Sequence, residues 1–377
     1  MKPVCSLLLL LLLCLVPLQV NALEPEWDYQ QQLDAIGADE LEDTMPQDAK
    51  TLLEDTGIRG IDYQAMLSLS PEEFFRQICQ MVSTRMRQPL VMFGAILGTI
   101  LLCATLDSLK TALWDGALSS VFSAVAVVCI AAAVASPMLD CIQSTARSIQ
   151  ECATFITSFI PVFSSVITVS GHPVTASTYT MFLFAACQVV SQVVSNILVP
   201  LLGIYLALCI TGSLSPNLQI LPIAKAIKSG VSWTLGLLLT LFVGLLSVQT
   251  MVASSSDTVA AKTAKFLIGS FVPVVGSALS DAFVATQGYL KLLKTAVGAF
   301  GVLVSAATFL PVFLQTATWY LAVNLSAAVS EMLEVKQVAD ILKSTGTTLG
   351  ILLSIILCFA LLVVISTSLI LIVSTGV

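Results

Sequence analysis

The sequence predicts an all-α membrane protein, a polytopic helical bundle of about six to eight spans with broken or re-entrant helices. A signal peptide and a small acidic extracytoplasmic helical segment precede it. Three observations carry this reading. The 377 residues are 57% hydrophobic and only 10% charged, whereas a soluble domain carries about 25% charged residues. Uncharged runs then recur along the chain: 88–106, 116–139, 152–224, 229–256, 295–330 and 344–377 contain no Asp, Glu, Lys or Arg. Each is long enough, or nearly so, to cross a bilayer. Finally, the acidity is local. Residues 23–88 hold 14 acidic and 5 basic side chains, and the rest of the chain from 89 onward is close to balanced, with 10 basic and 9 acidic. The organisation expected is therefore a signal over 1–22, an acidic extracytoplasmic helical region over 23–88 and a multipass membrane domain over 89–377. No basic cluster points to nucleic acid.

The N-terminal element follows from its pattern. Lys2 precedes an apolar core from Val4 to Leu18, and Val20-Asn21-Ala22 supplies small residues at the positions a signal peptidase reads, so cleavage is expected after Ala22. An uncleaved anchor is the alternative, and both place 23–88 outside the cytoplasm. Within that region Ser70-Pro71-Glu72-Glu73 is a helix start, with Ser as N-cap and Pro at the first helical position. Phe74, Phe75, Ile78, Cys79, Val82 and Met86 then recur at helical spacing. This face docks on the membrane or a partner, or packs within the molecule. Pro89 is expected to mark the turn into the first span.

The membrane elements are expected in order. Gln88–Leu106 and Gly116–Leu139 are the first two spans, and Asp140–Glu151 is a charged loop. Cys152–Ala224 holds two or three passes, broken at Gly171-His172-Pro173, near Pro200 and over 212–216. Ser229–Ser256 holds one span, Thr295–Ser330 one span plus a short apolar helix, and Gly346–Ser374 the last. Lys225 and Lys228 belong on the cytoplasmic side by the positive-inside rule. Simple alternation then puts Lys262 and Lys265 outside, so either one run is re-entrant or the charge bias is weak. Of the ten cysteines, none forms a C-x-x-C pair, and most read as small apolar packing residues. Cys141 and Cys152 flank the expected loop, where a disulfide is conceivable.

The stretch Ser247–Ala282 stands out. Polar and ionisable residues, Gln249, Asp257, Lys262, Lys265 and Asp281, surround an apolar run, Phe266–Ser280, that is short for a span and contains Gly269, Pro273 and Gly276. Irregular backbone survives in lipid only where protein or a water-filled cavity surrounds it. These eight residues are the candidate structural and assembly positions. An ordinary kinked helix with snorkelling lysines is the competing reading. Two echoes accompany it. K-x-x-K recurs at Lys225/Lys228, Lys262/Lys265 and Lys291/Lys294. Phe-x-Pro-Val recurs at Phe159–Val162, Phe271–Val274 and Phe309–Val312. Paired broken helices mark transport pathways in some membrane folds, but proline is also ordinary in membrane helices.

Catalytic signatures are missing from the sequence. His172 is the single histidine, too few for a two-His metal site. No H-E-x-x-H, phosphate-binding loop or G-x-S-x-G elbow occurs. Asp281, in Leu279-Ser280-Asp281-Ala282, lacks the glycine flanks of an intramembrane aspartyl dyad. The expectation is a non-enzyme with no catalytic residues, cofactor or metal.

Ser247-Val248-Gln249, Asp257, Thr263-Ala264-Lys265-Phe266, Gly269, Phe271-Val272-Pro273-Val274, Gly276 and Asp281-Ala282 together resemble the stage III sporulation protein AE family. The resemblance extends over nearly the whole chain. It implies a multipass protein of the mother-cell membrane around the forespore, in a channel or secretion-like complex that sustains late forespore gene expression. The partners it implies are proteins of the same operon, including a secretion-type ATPase and ring-forming proteins, and a forespore membrane protein. Self-association stays open. The competing functional reading is an autonomous secondary transporter using Asp257 or Asp281 near a broken helix.

Overall fold

The computed structural model describes residues 37, 40–58, 60–61, 65, 71–113, 116–214, 220–271 and 276–373. The signal over 1–22, Ser70 and Pro273 lie outside the described residues. The chain forms helices α1 (Glu40–Thr44), α2 (Gln47–Asp55), α3 (Pro71–Leu113), α4 (Gly116–Val169), α5 (Pro173–Val193), a π-helical segment (Val194–Leu198), α6 (Val199–Leu214), α7 (Leu221–Phe271), α8 (Gly276–Met332) and α9 (Lys336–Val373). No strand occurs among the described residues. Among the described residues, five stretches are long and apolar enough to cross a membrane: Val127–Val169, Pro173–Gly212, Pro222–Val248, Leu293–Met332 and Lys336–Ile365. Pro89–Thr105 is a shorter apolar helical stretch.

The helices pack side by side. α8 and α9 form the most extensive pair, α4 folds back on α5, and α8 also lies against α3 and α4. The chain reverses between α4 and α5 at Ser170-Gly171-His172, where Gly171 has φ of 91°, a left-handed conformation that costs glycine little. α8 and α9 meet at a turn in which Val335 N–H donates to the Ser330 carbonyl at 3.0 Å. Lys343 and Glu331 pair across it while both stay half-exposed. A continuous apolar core runs along the bundle through Met138, Ile149, Phe155, Phe163, Val304, Leu352 and Phe359. The acidic N-terminal helices join it. Leu41 of α1 and Leu52 and Leu53 of α2 are fully buried, with α1 against α4 and α2 against α8. Asp48 of α2 comes close enough to Glu151 of α4 to act on its carboxylate, as Arg147 does.

Several sequence-based boundaries are corrected. Asp140–Glu151 is not a loop: α4 runs unbroken from Gly116 to Val169. The stretch has neither Gly nor Pro. Its buried residues, Cys141, Ile142, Thr145, Ser148 and Ile149, fall at i, i+1, i+4, i+7 and i+8, an amphipathic helix with Asp140 and Arg147 outward. Charge had been read as a break where it is one face. Cys141 and Cys152 are consequently free thiols, separated by about 16 Å of helix rise, far too distant for a disulfide. Pro89 does not mark a turn, because α3 passes through it. Phe74 and Ile78 are buried on the face expected, while Phe75 and Cys79 are exposed. Thr295–Ser330 is not a span plus a short helix but part of one helix through Pro311, and Pro161 likewise sits inside α4. These prolines remove one backbone bond each, which a well-packed helix tolerates.

At 54 residues and 1.5 Å per residue, α4 is about 80 Å long. A bilayer's hydrocarbon layer is about 30 Å thick. α4 on its own therefore has more helix than a hydrocarbon layer is thick, and its charged face at Asp140–Glu151 separates two apolar halves.

Candidate functional site

The sequence candidates fall at the junction of two long helices. Gln249, Asp257, Lys262, Lys265 and Gly269 lie in the C-terminal part of α7, Gly276 begins α8 and Asp281 sits near its start. α7 is described to Phe271 and α8 from Gly276; Pro273 falls between them, outside the described residues. Helical register puts Lys262 and Lys265 on one face. The side chains of residues 249–292 lie outside the described residues. Of the other K-x-x-K pairs, Lys225 and Lys228 are exposed, whereas Lys294 is 1% exposed and points into the bundle, unlike a snorkelling lysine.

A polar cleft lies elsewhere, between α4 and α5. The other side of α4 carries an aromatic ladder. Phe155, Phe159 and Phe163 stack in series, with ring centroids 5.7 and 5.2 Å apart. Phe163 then meets Tyr179 of α5 edge-on at 5.7 Å, and Phe155 meets Phe300 of α8 at 6.4 Å. Phe159 lies over Gly301, where a Cβ would come within 2.4 Å of the ring. With one side of α4 committed to α8, its other side presents Gln150, Thr154 and Thr157. Opposite them α5 presents Gln188, Ser191 and Gln192, and the π-helical segment adds Ser195 and Asn196; together they line a cavity of about 460 Å³.

The π-helical segment has a local cause. Pro200 has no N–H for the Asn196 carbonyl, and its ring would crowd that carbonyl in a regular α-helix. The preceding turn widens instead: the Val199 N–H reaches back five residues to the Val194 carbonyl. Such bulges often occur at functional sites. This one carries Ser195 and Asn196, at the end of the polar face begun by Gln188 and Gln192.

Within the cleft, Asn196 Nδ2 donates to Gln192 Oε1 at 2.7 Å, and Gln188 Nε2 donates to Thr157 Oγ1 across the helices at 3.4 Å. Thr154 and Thr157 donate to the carbonyls of Gln150 and Ala153. Ser195 Oγ is buried with no hydrogen-bond partner among the described residues. No lining residue carries a formal charge. Among the described residues, no group of three or more His, Cys, Asp or Glu converges as metal ligands would. The chemistry available here is hydrogen bonding by neutral donors and acceptors. Sequence reasoning passed over this site while looking for charge. Its signal was Q-x-x-S-Q-x-x-S-N from Gln188 to Asn196, a polar stripe of helical period inside an uncharged apolar run.

A sequence profile for stage III sporulation protein AE matches residues 61–374. The chain belongs to the stage III sporulation protein AE family. The family region begins after α1 and α2 and contains α3–α9, with both the polar cleft and the junction near Pro273. The stage III sporulation protein AE of Bacillus subtilis (strain 168) is 28% identical over 240 residues. That alignment covers 62% of this chain and 59% of the relative, so the chain spans less than two thirds of the relative's length. No solved structure matches.

Proposed function

We propose that this member of the stage III sporulation protein AE family is a non-enzymatic integral membrane subunit of a channel or secretion-like complex. The complex links mother cell and forespore and supports late forespore development and gene expression. Its place is the mother-cell membrane around the forespore. Its partners are a secretion-type ATPase, ring-forming proteins of the same operon and a forespore membrane protein. The observation that carries this reading is the family match over 61–374. The five membrane-length apolar helices support it. α4, about 80 Å of helix, also exceeds the lipid's thickness and leaves helix for protein partners to grip.

The test is purification of the tagged chain from sporulating cells under mild detergent. Recovery with the ring-forming proteins and the ATPase, and loss of late forespore reporter expression on deletion, are expected. A chain that purifies alone and moves a solute across proteoliposomes by itself, with Asp281→Asn abolishing uptake, overturns the subunit reading in favour of an autonomous transporter.

A further inference from the structure

The geometry points to the α4–α5 cleft as a binding site for a small neutral solute rich in hydroxyl groups, a polyol or monosaccharide. The lining supplies four primary amides (Gln150, Gln188, Gln192 and Asn196) and four hydroxyl side chains. An amide carries two N–H donors and an acceptor oxygen, and a hydroxyl both donates and accepts. The protein uses only part of this capacity. Asn196 is tied to Gln192 and Gln188 to Thr157, while Ser195 Oγ is buried and meets no protein partner among the described residues.

Donors and acceptors set side by side select the ligand. A carboxylate only accepts and an ammonium only donates, so either leaves half of this lining unmatched. No lining residue supplies a countercharge for either. A vicinal diol donates and accepts at adjacent atoms, as the lining does. The size fits as well, since a cavity of about 460 Å³ lies within the ~300–1,000 Å³ range of small-molecule sites.

The cleft is also reachable. The uncharged arm of α4 from Cys152 to Val169 rises about 27 Å, close to the ~30 Å of a hydrocarbon layer. Four of the lining residues, Gln150, Thr154, Gln192 and Asn196, are themselves exposed, so the cleft opens on the surface of the bundle. The inference stands on this cleft alone and holds whether or not the chain works within a complex.

The test uses the full chain in lipid nanodiscs, with D-sorbitol and D-glucose as probes and sodium chloride, potassium chloride and sodium glutamate as controls. Calorimetry is expected to show binding of at least one polyol tighter than about 1 mM. Ser195→Ala and Gln192→Leu should each weaken it by about tenfold, the loss of one good hydrogen bond. Met181→Ala, on the same helix but 79% exposed and off the cleft, should leave it unchanged. Asn196→Cys, with its site resolved by mass spectrometry, should react with a water-soluble maleimide and be slowed about tenfold by the bound polyol. Absence of polyol binding by the native chain overturns the inference. So do binding that follows sodium or potassium instead, unchanged affinity in both variants, and a cysteine at 196 that the reagent never reaches.

Discussion

Gly301→Ala tests whether the α4–α8 contact is as tight as the structure shows. A Cβ at position 301 would lie 2.4, 2.7 and 3.0 Å from three ring carbons of Phe159. The ring cannot swing aside, because it stacks against Phe155 on one side and Phe163 on the other. It is also 2% exposed. Forcing a methyl into such a site costs about 1–3 kcal/mol. Replacing Gly by Ala within a helix returns about 1 kcal/mol, so the net loss expected is about 1 kcal/mol. Phe159→Leu removes the ring edge that clashes, at its own cost of about 1–2 kcal/mol for the space left. Gly301→Ala in the Phe159→Leu background should then be neutral or slightly stabilising, giving a favourable coupling of about 1–2 kcal/mol. The assay is reversible unfolding of the purified protein in mixed micelles, run as a double-mutant cycle. Gly236→Ala and Gly244→Ala are the controls, since nothing lies within 4 Å of a Cβ at either. The reasoning is refuted if Gly301→Ala is tolerated as well as those two, or if its effect simply adds to that of Phe159→Leu.

The same assay reads three further expectations. Gly346→Ala brings a Cβ within 2.8 Å of Asn324, whose Nδ2 is held on the Tyr320 carbonyl at 2.7 Å, and a loss of about 1 kcal/mol is expected where α8 meets α9. Leu52→Ala, at a fully buried site of the acidic region, should cost about 2–4 kcal/mol and expose α2 to protease; no change would mean the acidic helices do not dock on the bundle. Glu331→Gln removes an ion pair whose side chains are about half exposed, so stability should move by less than about 1 kcal/mol. Finally, non-reducing and reducing gels of the denatured, alkylated protein should show the same migration, because Cys141 and Cys152 point along one helix as free thiols; a reducible link between them would mean α4 is broken there.

Much of the architecture was legible where the chain announces itself by exclusion. The lack of charge over 152–169 and 173–212 set out the α4–α5 hairpin, and Gly171-His172-Pro173 marked its turn through backbone chemistry that does not depend on tertiary contacts. Pro71 opened α3 for the same reason. Harder to see were features decided by packing. Asp140, Arg147 and Glu151 looked like a loop because charge is costly in lipid, yet their spacing left five buried residues on the other face, and those hold the helix together. Thr295–Ser330 reads as a span plus a short helix, yet α8 passes through Pro311, because a proline breaks a helix only where neighbours cannot compensate. At Pro200 the compensation is visible as a π-helical turn. The polar cleft escaped notice because its residues are uncharged, so no count of ionisable groups finds it.

α4 itself has a mechanical consequence. Its buried residues continue without interruption from Met138 through Ile149 to Val166, across the level where its outer face turns from charged to apolar. There is no joint at that boundary. Tilting the part outside the lipid while the part inside stays still requires core side chains to separate, and close-packed interiors resist that. Between Pro137 and Pro161, α4 therefore resists bending at that level. A load or a docking event at one end of that stretch displaces the other rather than being absorbed between them.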